Sequence, residues 1–206
     1  MTTILGIKHQ DVDSAILIAD RQATYSNDNG VPQIKSSAKK ILTSKGDQFC
    51  FGTSGAITPD IQSLRNDLVE EKIDIAKRIS EGFFPELRNI NIDSMGKKMP
   101  DVNKYASFIL IMRDNNQPKV YTCFPLGAIE ERGLVSIGSG SQYVYHYLQS
   151  LNTIAEGQDY LIDNEGTTME GVIRFGLEAV RFAQKKDLYS NELDMLVCTP
   201  TKIDNH

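Results

Sequence analysis

Apolar positions alternate with polar ones in short runs at the start of the chain. Thr3 to His9 and Ala15 to Asp20 are β-rich and separated by the polar Gln10-Asp11-Val12-Asp13-Ser14, a spacing that predicts a hairpin. Beyond the turn signal Asn27-Asp28-Asn29-Gly30, Lys40 to Ser44 and Gln48 to Thr53 form a second pair. They are parted by Lys45-Gly46-Asp47, where glycine can take the positive φ of a tight turn. From Pro59 the period changes. Ile61, Leu64, Leu68, Ile73 and Ile75 recur near helical spacing and predict one long or broken helix. Glu81 to Lys104 is weakly patterned and holds Gly82, Pro85, Gly96 and Pro100, so a loop or a short helical piece is expected there. Ala106 to Arg113 and Pro118 to Phe124 make a strand pair around Asp114-Asn115-Asn116-Gln117, followed by a strand at Leu134 to Ile137. Helical spacing returns in Tyr143, Tyr147 and Leu151, and again in Met169, Val172, Ile173, Val180 and Ala183. Leu193 to Cys198 is the terminal strand.

Strands first, helical regions in the middle and near the end, and antiparallel pairing throughout predict an α+β protein of two sheets covered by helices. A doubly wound dinucleotide fold is disfavoured, because the turns joining the opening strands are too short for crossover helices. With 206 residues, 40% of them hydrophobic, the chain is long enough for one sizeable core, and residues 1–206 are expected to form a single domain.

Charge and cysteine usage narrow the function classes. The formal net charge is −5, and Lys97-Lys98 and Lys185-Lys186 are too short to form the concentrated basic face that nucleic acid requires. No apolar run approaches the roughly 20 residues of a membrane span, and the N-terminus lacks a basic segment followed by an apolar one. A soluble, cytoplasmic protein is therefore expected. Cys50, Cys123 and Cys198 sit in apolar strand-like runs without metal-ligand or Cys-x-x-Cys spacing, so they are expected to be buried reduced thiols. His9, His146 and His206 lack the i, i+4 spacing of a zinc pair. Neither a metal site nor a cofactor is expected.

Candidate chemistry begins at Met1-Thr2-Thr3. Removing Met1 leaves a threonine that carries both a hydroxyl and a free α-amine. An α-amine with a reference pKa of roughly 7.7 to 8.0 can take the proton of its own hydroxyl, so one residue supplies nucleophile and base. Asp20-Arg21-Gln22-Ala23-Thr24 ends one strand and Ala38-Lys39-Lys40-Ile41 begins another, so an acidic and a basic side chain can meet beside Thr2. A nearby cation lowers the pKa of an amine, and Asp20 can hold that cation in place; a surface pair between strands is the plainer reading of the same residues. Gly138-Ser139-Gly140-Ser141 lies between a strand and a helix, where free amides can face a ligand. It is not a nucleotide loop, because Tyr143 occupies the next glycine position of the dinucleotide fingerprint and no Gly-Lys-Ser/Thr ending exists.

In this order the motifs resemble those of proteasome β subunits, threonine peptidases of the N-terminal nucleophile hydrolase class. The resemblance spans nearly the whole chain. It rests on Thr2-Thr3 followed by Gly6-Ile7, Ala19-Asp20-Arg21 with Ala23-Thr24, Lys39-Lys40, Gly52 with Gly55, Gly138-Ser139-Gly140-Ser141, and Asp187-Leu188-Tyr189-Ser190. It implies a four-layer αββα sandwich of two antiparallel sheets flanked by helices. It also makes Thr2 the nucleophile and base, Lys40 the neighbouring cation, and Asp20 the residue that orients Lys40. Ser139, Asp187 and Ser190 would position the amine and an assisting water, and the Gly52 amide would donate to the oxyanion. Thr24 would pair with extended substrate backbone. The resemblance places a small to medium apolar pocket around Ala23, Ala38, Leu42, Cys50 and Ser54, with core packing the plainer reading of Leu42 and Cys50.

Function implied by this resemblance is endopeptidase activity on peptide or unfolded-protein substrate inside self-associated stacked rings, capped by α subunits and fed by an unfolding ATPase. Gln22 stands where β subunits often carry a second arginine, and Ala56 replaces a frequent acidic residue. Gln22-Ala23-Thr24 and Tyr189-Ser190-Asn191 are also similar to the bacterial two-component ATP-dependent threonine peptidase, whose usual chain is shorter. The same motifs are compatible with a catalytically silent ring subunit and with an Ntn-type transferase. Retention of Thr2, Asp20, Lys40 and Ser139 counts against silence.

Overall fold

Strict period-two burial explains the two central strands. In β1 (Ile4–Lys8) and β2 (Ala15–Asp20), Ile4, Ala15, Leu17 and Ala19 point to one apolar cluster, while Leu5, Ile7, Ile16 and Ile18 point to another. Both faces of this strand pair are therefore covered. The computed structural model describes the chain apart from residues 1, 9–12, 27–31, 56, 82–83, 85–104, 115–116, 126–128, 152–167, 188–191 and 206.

β3 (Gln22–Ser26) and β4 (Pro32–Ser37) form a separate two-stranded sheet. Next come β5 (Ile41–Thr43), β6 (Phe49–Gly55), and the helices α1 (Pro59–Val69) and α2 (Ile75–Glu81). β7 (Ala106–Asp114), β8 (Gln117–Cys123), β9 (Ile129–Arg132) and β10 (Leu134–Ile137) follow. α3 (Ser141–Ser150), α4 (Met169–Asp187), β11 (Leu193–Cys198) and β12 (Ile203–Asn205) complete the chain. One five-stranded sheet has the order β10-β1-β2-β11-β12 and the other β5-β6-β7-β8-β9, with antiparallel pairing throughout.

Three clusters stack these elements into four layers. Ile4 and Leu17 of the first sheet meet Ile41, Ile109 and Val120 of the second. On the outer face of the first sheet, Leu5 and Ile18 pack under Val144 and Leu148 of α3 and Val172 and Val180 of α4. Phe51, Phe108 and Leu110 meet Ile61 and Leu68 of α1 on the outer face of the second. Each fully buried side chain of this size contributes about 1.5–3 kcal/mol, so the sandwich rests on these interfaces. The fold is thus the αββα sandwich of two antiparallel sheets between helices.

Local differences have physical causes. The predicted long or broken helix is broken: Thr58 caps α1 by accepting from the Ile61 N–H, and Glu71 takes a φ of 54° before α2. The β5–β6 turn places its positive φ on Asp47 rather than Gly46, whose N–H instead donates to the Glu71 carboxylate at 2.9 Å. In α3 the buried residues are Val144 and Leu148, one position along from the expected Tyr143 and Tyr147, which pack at the margin, while Leu151 is exposed. The β3–β4 hairpin escapes the sequence pattern because its arms, Gln22–Ser26 and Pro32–Ser37, are largely polar. Most of the weakly patterned stretch after Glu81 lies outside the described residues. No helix among the described residues is long and apolar enough to cross a membrane.

Candidate active site

The end of β2 and the start of β5 belong to different sheets, yet Asp20 and Lys40 meet there. Lys40 Nζ donates to Asp20 Oδ2 at 2.8 Å, and the two side chains are only 8% and 5% exposed respectively. The surface-pair reading of these residues therefore falls. A buried ion pair is retained only with good geometry and further hydrogen bonds, and Asp20 has both. Its Oδ1 accepts from the Thr3 N–H at 2.5 Å and its Oδ2 also accepts from the Gln22 N–H at 3.1 Å. One carboxylate thus anchors the peptide next to Thr2 and the cation Lys40. Arg21 turns elsewhere: its Nε and Nη2 both donate to Asp194 Oδ1, and that contact raises its pKa.

Thr2 is held from the other side by the loop after β10. Its nitrogen donates to Ser139 Oγ at 3.2 Å, and its carbonyl accepts from the Gly140 N–H at 3.3 Å. With Met1 attached this nitrogen is a peptide N–H, and it marks where the α-amine stands once Met1 is gone. Gly138 has a φ of 96°, and a Cβ there would run into the Thr2 carbonyl oxygen and reach within 3.0 Å of Ser54 Oγ. A Cβ at Gly140 would run into Thr3 Oγ1. These two glycines let the loop close on Thr2 and Thr3. Glycine at this strand-to-helix junction permits the close backbone approach that the sequence suggests, and the approach is made to Thr2 and Thr3.

Gly52 sits in β6 between Ile41 of β5 and Ile109 of β7. A Cβ on it would lie 2.8 Å from Ile4 Cγ2 and 3.1 Å from Ile41 Cγ2, so glycine is also demanded by the contact between the sheets.

The residues expected to line a pocket do not share one surface. Leu42 faces the helix-covered side with its strand partner Phe51, whereas Cys50 is fully buried between the sheets. Ser54 is buried beside Gly138, and Ala38 is half-buried, its N–H bonded to the Arg21 carbonyl at 2.7 Å. Thr24 pairs with Ile34 across a register shift in the β3–β4 sheet; its side chain and that of Ala23 lie outside the described part, as do Ala56 and Ser190. Asp187 ends α4, with its side chain outside the described part.

All three cysteines are buried and free. Burial pushes the Cys50 and Cys123 thiols far up, and that of Cys198 to about 11. None is poised as a nucleophile. Among the described residues no cluster of His, Cys, Asp and Glu could hold a metal ion.

Comparison with known proteins identifies the family. The family model described as proteasome subunit matches residues 1–198. The chain is 26% identical over 198 residues to proteasome subunit beta 1 of Thermococcus sibiricus, covering 95% of this chain and 85% of that protein. It is 26% identical over 199 residues to proteasome subunit beta 2 of Pyrococcus abyssi, with the same coverage. A match over almost the whole chain, joined to the αββα sandwich, establishes that this chain belongs to the proteasome subunit family and is of the β type.

Proposed function

We propose that the chain is a threonine-type endopeptidase that hydrolyses peptide bonds through an acyl-enzyme on Thr2 after loss of Met1. The observation that carries this reading is the division of Asp20 between the Thr3 N–H and Lys40 Nζ, which ties the terminal threonine and a buried cation to one anchor. The α-amine takes the proton of the Thr2 hydroxyl as its oxygen attacks the scissile carbonyl, and Lys40, by its charge, keeps that amine unprotonated near neutral pH. The proton passes to the departing amine as the C–N bond breaks, leaving an ester on Thr2. Water then attacks the ester: the amine takes a proton from that water and delivers it to the threonine oxygen as the ester C–O bond breaks, releasing the acid product and restoring Thr2.

Ser139 orients the amine, and Asp187 and Ser190 complete the polar group that holds the assisting water. The Gly52 amide is assigned to the oxyanion; standing between Ile41 and Ile109, it must serve the substrate in competition with the ladder. Substrate binds extended along Thr24, and Ala23, Ala38 and Ser54 shape a small apolar pocket that favours cleavage after hydrophobic residues. Leu42 and Cys50 belong to the core. Copies of the chain assemble into stacked rings with α subunits, served by an unfolding ATPase in the cytoplasm, so that the sites face an enclosed chamber.

Peptide hydrolysis by two variants tests the assignment. Thr2→Ser keeps hydroxyl and amine and retains measurable turnover; Thr2→Ala retains none. Equal activity in both would remove Thr2 from the chemistry.

A further inference from the structure

Arg65 is an unusual residue on α1. It is buried, burial lowers its pKa, and among the described residues no carboxylate pairs with it. Its Nη2 donates to the Lys39 carbonyl at 3.0 Å and its Nη1 to Gln62 Oε1 at 3.5 Å, whereas its Nε is buried without a hydrogen-bond partner. Burying an uncompensated cation is costly, and replacement of buried charge by an apolar side chain of similar volume is often neutral or stabilising. Packing alone therefore gives no reason for arginine here.

The bond to Lys39 does give one. The Lys39 carbonyl lies in the same rigid peptide plane as the Lys40 nitrogen. On the other side of the Lys40 Cα, the Lys40 carbonyl accepts from the Thr53 N–H at 3.2 Å. With both flanking peptide planes hydrogen-bonded, φ and ψ of Lys40 are restrained, and with them the direction of its Cα–Cβ bond. Asp20 holds the far end at Nζ. Lys40 is thereby fixed at three points by three elements, and the first of these is supplied by α1 from the opposite, helix-covered face of the second sheet.

We infer that Arg65 is a positioning residue for Lys40: it clamps the Lys39–Lys40 peptide and so aims the ammonium at the Asp20 and Thr2 end of the sandwich. The effect on rate rests on the peptidase reading of Thr2, whereas the effect on Lys40 geometry does not.

Arg65→Met in the full chain, freed of Met1, tests this by crystallography alongside steady-state kinetics. The Lys39–Lys40 peptide is expected to turn, with Lys40 Nζ leaving hydrogen-bond distance of Asp20. kcat is expected to fall by about ten- to a hundredfold, the range an ångström of misplacement produces, with KM unchanged because Arg65 does not touch substrate. The acid limb of the pH–rate profile moves to higher pH, since a displaced cation lowers the amine pKa less. A structural arginine would shift thermal stability alone. Lys40 unmoved in the variant, or a wild-type kcat and pH profile from an active protein, overturns the inference. If wild-type protein is itself inert while Lys40 moves in the variant, the clamp stands and the peptidase reading falls. Arg65→Gln, too short to reach and uncharged, is judged by the same criteria should the methionine variant not fold.

Discussion

Asp20 and Lys40 form a buried ion pair at 2.8 Å that joins one sheet of the sandwich to the other. The pair holds two functions that cannot be separated by single substitution. Removing Lys40 takes the cation from the site and also leaves a buried carboxylate without its counter-charge, a loss of about 3–5 kcal/mol. Lys40→Ala is therefore expected to abolish peptide hydrolysis and lower the thermal midpoint together. The double change Asp20→Asn with Lys40→Met removes both charges and is expected to regain most of the midpoint with no turnover. Calorimetry and peptide hydrolysis on the two variants check this, and recovered turnover in the double variant would contradict the role of Lys40.

Gly138 closes on the Thr2 carbonyl with a φ of 96°, and a Cβ has no room there. Gly138→Ala meets both backbone strain, about 1–3 kcal/mol, and a steric clash with Thr2, the residue proposed as nucleophile. It is expected to reduce kcat/KM at least tenfold and to lower stability. Unchanged kinetics in a folded Gly138→Ala protein would mean that the loop does not set the Thr2 position.

The thiols respond to pH in a predictable direction. Burial pushes the Cys198 thiol up to about 11 and those of Cys50 and Cys123 well above the ordinary range, whereas in the unfolded chain all three ionise at about 8.5. Above that value the unfolded state binds fewer protons than the folded one, so stability falls as pH rises. The thiol contribution is constant below about pH 8 and is lost progressively above it, the Cys198 part being gone by about pH 11. Alkylating reagents at pH 8 are expected to leave native protein unlabelled and its activity intact, and mass spectrometry of the treated protein checks both.

Sheet and helix order was legible because burial follows simple periods. Ile4, Leu17 and Ile16, Ile18 sort to opposite faces by strict alternation, and Val172, Val180 and Ala183 mark the buried stripe of α4. The β3–β4 hairpin was not legible, since Pro32-Gln33-Ile34-Lys35-Ser36-Ser37 carries no apolar alternation. At the site, Asp20 and Lys40 could be named from motif order, but their burial could not, because 20 residues separate them and only the stacking of two sheets brings them together. Arg65 gave no signal at all. On a charge-rich amphipathic helix an arginine beside Leu64 and Leu68 reads as a solvated residue, and its contact with Lys39 depends on where α1 lies over the second sheet.

Intact mass of the purified protein, before and after incubation with a peptide epoxyketone, tests most directly whether Thr2 is a nucleophile paired with its own amine. The reagent needs a free hydroxyl and a free α-amine on one residue to close its ring adduct. The expected result is a chain lacking Met1 that gains the mass of one adduct, mapped to Thr2 and absent from Thr2→Ala. A chain that has lost Met1 and gains no adduct would contradict the threonine peptidase assignment.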